Sequence, residues 1–195
     1  MNYSFYALVS RMKNINRWAL MRNSYPENVQ EHSHMVSVIA HALAVIRRDV
    51  FGLEADPGKA VSAALFHDAS EIITGDMPTP VKYHNKQIMA AYKDIEAQAS
   101  RRLLAGLPKE LRPAYEQVLL DTDPETQAIV KAADKLSAYI KCIEELKAGN
   151  NEFRSAAQQT LEKLQAIDRP EVGYFLENFI PAFELTLDEL HLSAD

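Results

Sequence analysis

The sequence predicts an all-α fold, a single domain (residues 1–195) of about eight to ten helices joined by short links. Three observations predict it. Apolar residues recur at helical spacing along most of the chain. Asp-Pro and Asn positions open these runs, and glycines close them. No segment reads as a strand, and no internal repeat emerges.

Phe5 to Leu20 reads as the first helix, with Phe5, Leu8, Val9, Met12, Ile15 and Leu20 near a 3.6-residue period. Its end carries Arg17 and Trp18, a fixed-fork donor beside a rigid apolar plate. That pair suits a ligand, or is a surface arginine next to a half-buried anchor. Residues 21–28 connect to a second helix, Val29 to Val50. There His32 shares a stripe with Val36, Ile39 or Ala40, and Leu43, and so faces inward. A lone inward histidine is more often a hydrogen-bonded core residue than a ligand.

Asp56 before Pro57 starts a third helix, slender with alanines, that runs to about Ile73 before Gly75 ends it. It holds Leu65-Phe66-His67-Asp68-Ala69-Ser70-Glu71, with Glu71 four residues after His67 on the same helical face. A metal ion uses imidazole and carboxylate ligands with a third polar group for a proton. The bare His-Asp pair is also what a water-facing helix end looks like. Pro78 and Pro80 exclude a regular helix from residues 75–82. That stiff segment either holds Asp76, Thr79 and Lys82 over a site or turns a corner.

Asn85 to Leu104 is a long helix with Ile88, Met89, Tyr92, Ile95, Ala99 and Leu103 inward. Pro108 opens a short helix that Pro113 kinks or interrupts. Asp123-Pro124 starts a helix to about Ala148, with Ile129, Ala133, Leu136, Ile140 and Ile143 as its stripe and Lys131, Lys135 and Lys141 as its solvated side. Asp134 flanks the stripe. A partly inward aspartate needs an ion pair, a hydrogen bond or a metal. Asn151 caps a helix to about Ile167, Pro170 starts another, and Pro181 breaks or restarts it.

At 195 residues and 47% hydrophobic content, the chain can bury a sizeable core. A formal net charge of -6 argues against binding polymeric nucleic acid or an anionic membrane. A small phosphate ligand stays open, because a metal and one arginine reverse the local field. Cys142 is the single cysteine, so no internal disulfide forms, which fits a reducing compartment. There is no signal-peptide pattern and no apolar run of the ~18 residues that a membrane span needs. The expectation is a soluble, cytoplasmic protein.

The order His32, His67-Asp68, Asp134 resembles the HD-domain metal phosphohydrolases. Ile15-Asn16-Arg17-Trp18, Glu27 to Ser33, Phe66 to Glu71, Gly75 to Lys82 and Ala132-Ala133-Asp134 resemble one branch, the bacterial HD-domain 5'-deoxynucleotidases. The Arg-Trp pair and the Asp-x-Pro-Thr-Pro segment sharpen that likeness, which runs along essentially the whole chain, through Pro181 to Glu189. The resemblance implies a homodimeric enzyme that hydrolyses deoxyribonucleoside 5'-monophosphates to deoxynucleoside and phosphate. By residue match His32, His67, Asp68 and Asp134 hold one divalent metal per chain. Glu71 and Asp76 are the catalytic carboxylates, and Arg17 and Trp18 meet the substrate, with Thr79 and Lys82 beside it. Two imidazoles and two carboxylates suit cobalt, manganese, iron, zinc or copper better than magnesium. Glu71 is assigned to the attacking water and its proton, and Asp76 to the O5' side.

The alternatives are the same fold acting on another nucleotide phosphoester, or a non-catalytic nucleotide-sensing module. A triphosphate needs more positive charge than Arg17 and Lys82 supply. The presence of both Glu71 and Asp76 weighs against pure sensing. A structural metal would favour cysteine ligands, and this set has none.

Overall fold

A computed structural model describes residues 2–82, 84–120 and 122–190, with the side chain of Thr79 outside the description. Its helices are α1 (Phe5–Val9), α2 (Val29–Val45), α3 (Pro57–Phe66), α4 (Glu71–Thr74), α5 (Thr79–Lys82), α6 (Lys86–Ala105), α7 (Arg112–Leu119), α8 (Pro124–Lys147), α9 (Arg154–Gln165) and α10 (Pro170–Asn178). Short 3-10 turns link several of them, and a π turn over Ile46–Val50 extends α2. Among the described residues the only β pairing is an isolated antiparallel bridge between Asn16 and Asn28.

The two Asp-Pro caps, Asp56 and Asp123, act as the sequence predicts. Asn28 and Glu31 form a capping box on α2. Asp56, Asn85 and Asp123 each accept a backbone N–H at the start of α3, α6 and α8. α2 runs through the middle of the molecule, packed along both α3 and α8, which also touch each other. The main core joins Val36, Ile39 and Leu43 of α2 with Ala60, Ala63 and Ala64 of α3, and with Ile129, Ala133, Leu136 and Ile140 of α8. The alanines let these backbones approach closely, so His32 near the start of α2, His67-Asp68 just after α3 and Asp134 in the middle of α8 come together. A second cluster ties Phe5, Met12, Val29, Leu103 and Leu107 to Ala69, directly after the His-Asp pair.

Several element boundaries differ from the sequence reading. The first helix ends early: α1 gives way to a 3-10 turn over Ser10–Asn14, and the chain then extends. Arg17 N–H donates to Glu27 O and Val29 N–H to Ile15 O, so the loop pairs with itself instead of continuing the helix. The third helix stops at Phe66 and restarts at Glu71, through i→i+3 bonds from Ala69 N–H to Phe66 O and from Glu71 N–H to Asp68 O. Residues 79–82 do form one helical turn despite Pro80, because a first-turn proline forfeits no intrahelical bond. No helix opens at Pro108; α7 starts at Arg112, with Pro113 in its first turn. Asn150, not Asn151, caps the segment leading into α9. Ile95 is exposed, outside the inward face of α6.

Lys141 is also buried, contrary to its place among the solvated lysines. It pairs with the buried Glu145 one turn on and donates to Tyr25 O. Glu145 further accepts from Ser24 N–H, Tyr25 N–H and Asn150 Nδ2. Against desolvation, these bonds and Lys141 push its pKa down to about 2. A charged group is tolerated here because almost every lone pair has a donor. Among the described residues no helix is long and apolar enough to cross a membrane.

Candidate metal centre and active site

Each histidine of the site is oriented by a partner behind it. His67 ends α3, and its Nδ1 lies 2.7 Å from the Ala64 carbonyl, which also accepts the His67 backbone N–H at 3.3 Å. A carbonyl only accepts, so Nδ1 carries the proton there and Nε2 faces the site. The ring therefore takes over an acceptor that a continuing α-helix would use, and the local tightening at 67–70 and the aim of His67 are one event. His32, fully buried on α2, contacts Ser137 Oγ through Nδ1 at 3.2 Å, and its Nε2 also faces the site.

The two Nε2 atoms converge on Asp68. Its Oδ2 lies 3.2 Å from His67 Nε2 and 3.6 Å from His32 Nε2. Ligand atoms of His32, His67 and Asp68 all lie within 4.8 Å of one another, as a shared ion requires. Asp134 on α8 joins through His32, its Oδ1 lying 3.1 Å from Nε2. It stands outside that closest trio and is more open to solvent. His67 Nε2 is buried and makes no well-aligned hydrogen bond among the described residues, its 3.2 Å approach to Asp68 Oδ2 being a contact of charge. A buried imidazole nitrogen without an aligned hydrogen bond beside carboxylate oxygens is what a ligand set looks like when a cation completes it. The donors therefore fit a single divalent metal, with nitrogen and oxygen ligands and no thiolate.

Electrostatics agree. Burial disfavours charge on His67, yet Asp68 and Asp134 outweigh it and push its pKa up to about 9. Against its own desolvation, Asp68 is held far below the usual carboxylate range by His67, His32 and Arg17. Asp134 is lowered as well, by the hydrogen bond and charge of His32 working against desolvation. The cluster thus keeps anionic oxygens next to a site that favours positive charge.

Glu71, at the start of α4, is buried, and its Oε2 has no partner among the described residues. Burial and the charges of Asp68 and Asp76 push its pKa up to about 9, with Arg17 and Lys82 opposing. Gly75, at φ 73, makes the sharp exit from α4 that brings Asp76 back towards the cluster. Burial and Asp68 raise the pKa of Asp76 while Arg17 lowers it. Two acids close to one another, one of them kept neutral, suit proton transfer.

Arg17 lies in the extended loop, not on a helix. Its Nη1 donates to Asp68 Oδ2 at 3.3 Å and its Nε to Glu27 Oε2 at 3.0 Å. Trp18 donates its indole N–H to the same Glu27 oxygen at 3.0 Å and stacks at a tilt on Phe153, ring centroids 5.3 Å apart. Lys82 on α5 pairs with Glu96 at 2.9 Å and sits over the Tyr92 ring. Its charge still reaches Glu71 and Asp76. Thr79 was expected beside the substrate; its side chain lies outside the described atoms.

A model of the YfbR-like 5'-deoxynucleotidase family matches residues 4–183. The chain belongs to the YfbR-like 5'-deoxynucleotidase family. Among similar proteins, a 5'-deoxynucleotidase of Shewanella oneidensis is 50% identical over 188 residues, covering 95% of this chain and 96% of that one. A 5'-deoxynucleotidase of Vibrio cholerae is 49% identical over 188 residues, covering 95% and 97%. An HD-domain phosphohydrolase structure from Listeria innocua superposes with a TM-score of 0.79 at 26% identity, covering 92% of this chain and 88% of that one. With the metal cluster, these likenesses make the chain an enzyme, a metal-dependent nucleotide phosphohydrolase of the HD fold.

Sequence reasoning passed over Glu27, Ser137 and Ala64, which orient the site residues. None carries a periodic signal. Glu27 is a loop carboxylate ten residues from its partner Arg17, and the Ala64 contribution is a backbone oxygen.

Proposed function

We propose that this chain is a 5'-deoxynucleotidase, hydrolysing deoxyribonucleoside 5'-monophosphates to deoxynucleoside and inorganic phosphate. The observation that carries this reading is the convergence of His32, His67 and Asp68 beside an unpaired, buried Glu71 carboxyl, in a chain half-identical to 5'-deoxynucleotidases. His32, His67, Asp68 and Asp134 hold one transition metal, with cobalt, manganese, iron, zinc or copper matching the donors. A divalent cation held there draws charge from the phosphoryl group and acidifies water.

The chain's own groups do the rest. Arg17, already poised on Asp68, offers its remaining N–H donors to a non-bridging phosphate oxygen. Glu71, ionised once the cation's charge offsets burial and the carboxylates of Asp68 and Asp76, takes the proton of the attacking water. Asp76 protonates O5', because an alkoxide leaves poorly without a proton. Trp18 lies against the C2' side of the sugar, and Thr79 and Lys82 flank the phosphate. The working unit is a cytoplasmic homodimer whose protomer is one domain.

The test is a phosphate-release screen of deoxy- and ribonucleoside mono-, di- and triphosphates across these metals, with a chelator control. Release from deoxymononucleotides that vanishes in chelator is expected. Full activity in chelator, or a preference for triphosphates, overturns the proposal.

A further inference from the structure

Glu27 sits in the connector before α2, outside the proposed ligand set and distinct from the two acids. Its backbone carbonyl accepts the Arg17 N–H at 2.9 Å. Its Oε2 accepts from Arg17 Nε and from Trp18 Nε1, each at 3.0 Å. One carboxylate oxygen therefore ties the guanidinium to the indole. The tie is well shielded, with side-chain exposures of 12% for Arg17 and 16% for Glu27.

Two further observations separate this tie from an ordinary loop contact. Trp18 has φ 58, the left-handed region, and is the one non-glycine there among the described residues. A bulky side chain in that conformation costs about 1–2 kcal/mol and persists where its surroundings over-determine it. The loop between Trp18 and Glu27 is also pinned independently, because Glu145 accepts the N–H groups of Ser24 and Tyr25. The loop thus has its own anchor, and what Glu27 adds is the aim of two side chains. With Nε on Glu27 and Nη1 on Asp68, the guanidinium plane is set from two sides.

We propose that Glu27 is a positioning residue that locks Arg17 and Trp18 into one unit, so that phosphate grip and sugar choice are set through a single carboxylate oxygen. This rests on the reading that Arg17 meets the phosphate and Trp18 the sugar. Without the tie each side chain regains its rotamers, and the two recognition events uncouple.

The chain has one tryptophan, so its fluorescence reports Trp18 alone. Wild type, Glu27→Ala and Glu27→Gln are compared as metal-loaded protein for kcat/KM on dAMP and AMP. In parallel, Trp18 emission is titrated with both nucleotides in chelator. Glu27→Ala is expected to raise KM for both substrates and to lower the dAMP-to-AMP ratio about tenfold, the size of one lost charge-assisted hydrogen bond. Its emission shifts to longer wavelength, and the change induced by dAMP disappears. Glu27→Gln, whose amide oxygen still accepts from both donors, keeps the ratio within about threefold. Should Glu27→Ala fail to fold by circular dichroism, Glu27→Asp, too short to reach both donors, replaces it with the same expected loss.

A folded Glu27→Ala with the wild-type ratio overturns the proposal, as does a Glu27→Gln that falls as far as Glu27→Ala. A wild type that hydrolyses neither nucleotide overturns the activity instead. In that event the fluorescence titration decides Glu27: a dAMP response that survives in Glu27→Ala ends the idea.

Discussion

At the scale of the residue, the site depends on where protons sit. Glu71 is buried beside Asp68 and Asp76, with an oxygen that no donor among the described residues reaches. Glu71→Gln keeps the shape and removes the carboxylate proposed to accept the proton of the attacking water. Turnover is expected to fall by ~10²-fold or more with metal affinity nearly unchanged. Steady-state kinetics with metal titration checks this, and near-normal turnover at saturating substrate removes Glu71 from the chemistry. His67 sets the pH behaviour of metal binding. Its pKa of about 9 means that the metal-free site holds a proton on the ring at neutral pH. A cation needs that lone pair, so binding releases the proton and tightens as pH rises towards 9, by up to about tenfold per pH unit. Calorimetry in buffers of different ionisation enthalpy counts the proton. The same sign governs the chelated protein: His67 and Glu71 hold protons that the unfolded chain sheds, so its stability falls as pH rises from about 6.5 to 9. Stability that rises over that window contradicts both assignments.

At the scale of the element, the site exists because two helices end where they do. The break after Phe66 frees the Ala64 carbonyl for the His67 ring, and the turn over 67–70 presents Asp68 and Glu71 on a curve that a straight helix would not follow. The loop carrying Arg17 and Trp18 is held to α8 by Lys141 and Glu145. Glu145→Ala leaves a buried lysine and the N–H groups of Ser24 and Tyr25 without their acceptor. It is expected to destabilise by about 3–5 kcal/mol, the usual penalty for breaking a buried pair from one side. Denaturant unfolding measures it, and a loss below about 1 kcal/mol would place this pair with the weak surface ones.

At the scale of the whole molecule, α2, α3 and α8 form the core, and the proposed ligands lie on or just after these helices. A metal bound by all three cross-links the core and binds only the folded chain. At a free-metal concentration of about 100 times Kd, mass action adds about 2.7 kcal/mol of stability. Chelation is therefore expected to lower Tm by roughly 5–10 °C for a chain of this size. Differential scanning calorimetry with and without chelator checks it. An unchanged Tm means the three helices do not share an ion. Asp134→Ala is expected to reduce the metal-dependent shift and leave the metal-free Tm close to that of wild type, because its side chain is 42% exposed.

Periodicity and caps determined the helical architecture from the sequence alone: α2, α6, α8 and α10 start within about two residues of their expected positions. The reason is local, because a cap or a first-turn proline acts on its own helix. The inward face of His32 was legible in the same way. What the period could not supply was the ending of helices by tertiary bonds. The first helix stops because residues 15–17 pair with residues 27–29, and α3 stops where the Ala64 carbonyl turns to a ring nitrogen. Neither acceptor is visible in a one-dimensional pattern. The same holds for Lys141, polar by type yet buried by Glu145 and Tyr25 O, and for Glu27, whose two donors lie at a neighbouring loop turn. The proposed ligand set came from the family resemblance that the order His32, His67-Asp68, Asp134 carries. The convergence of His32, His67 and Asp68, with two Nε2 atoms facing one point, came only from packing helices at alanine-lined contacts, because distance between remote segments is a property of the fold and not of the string.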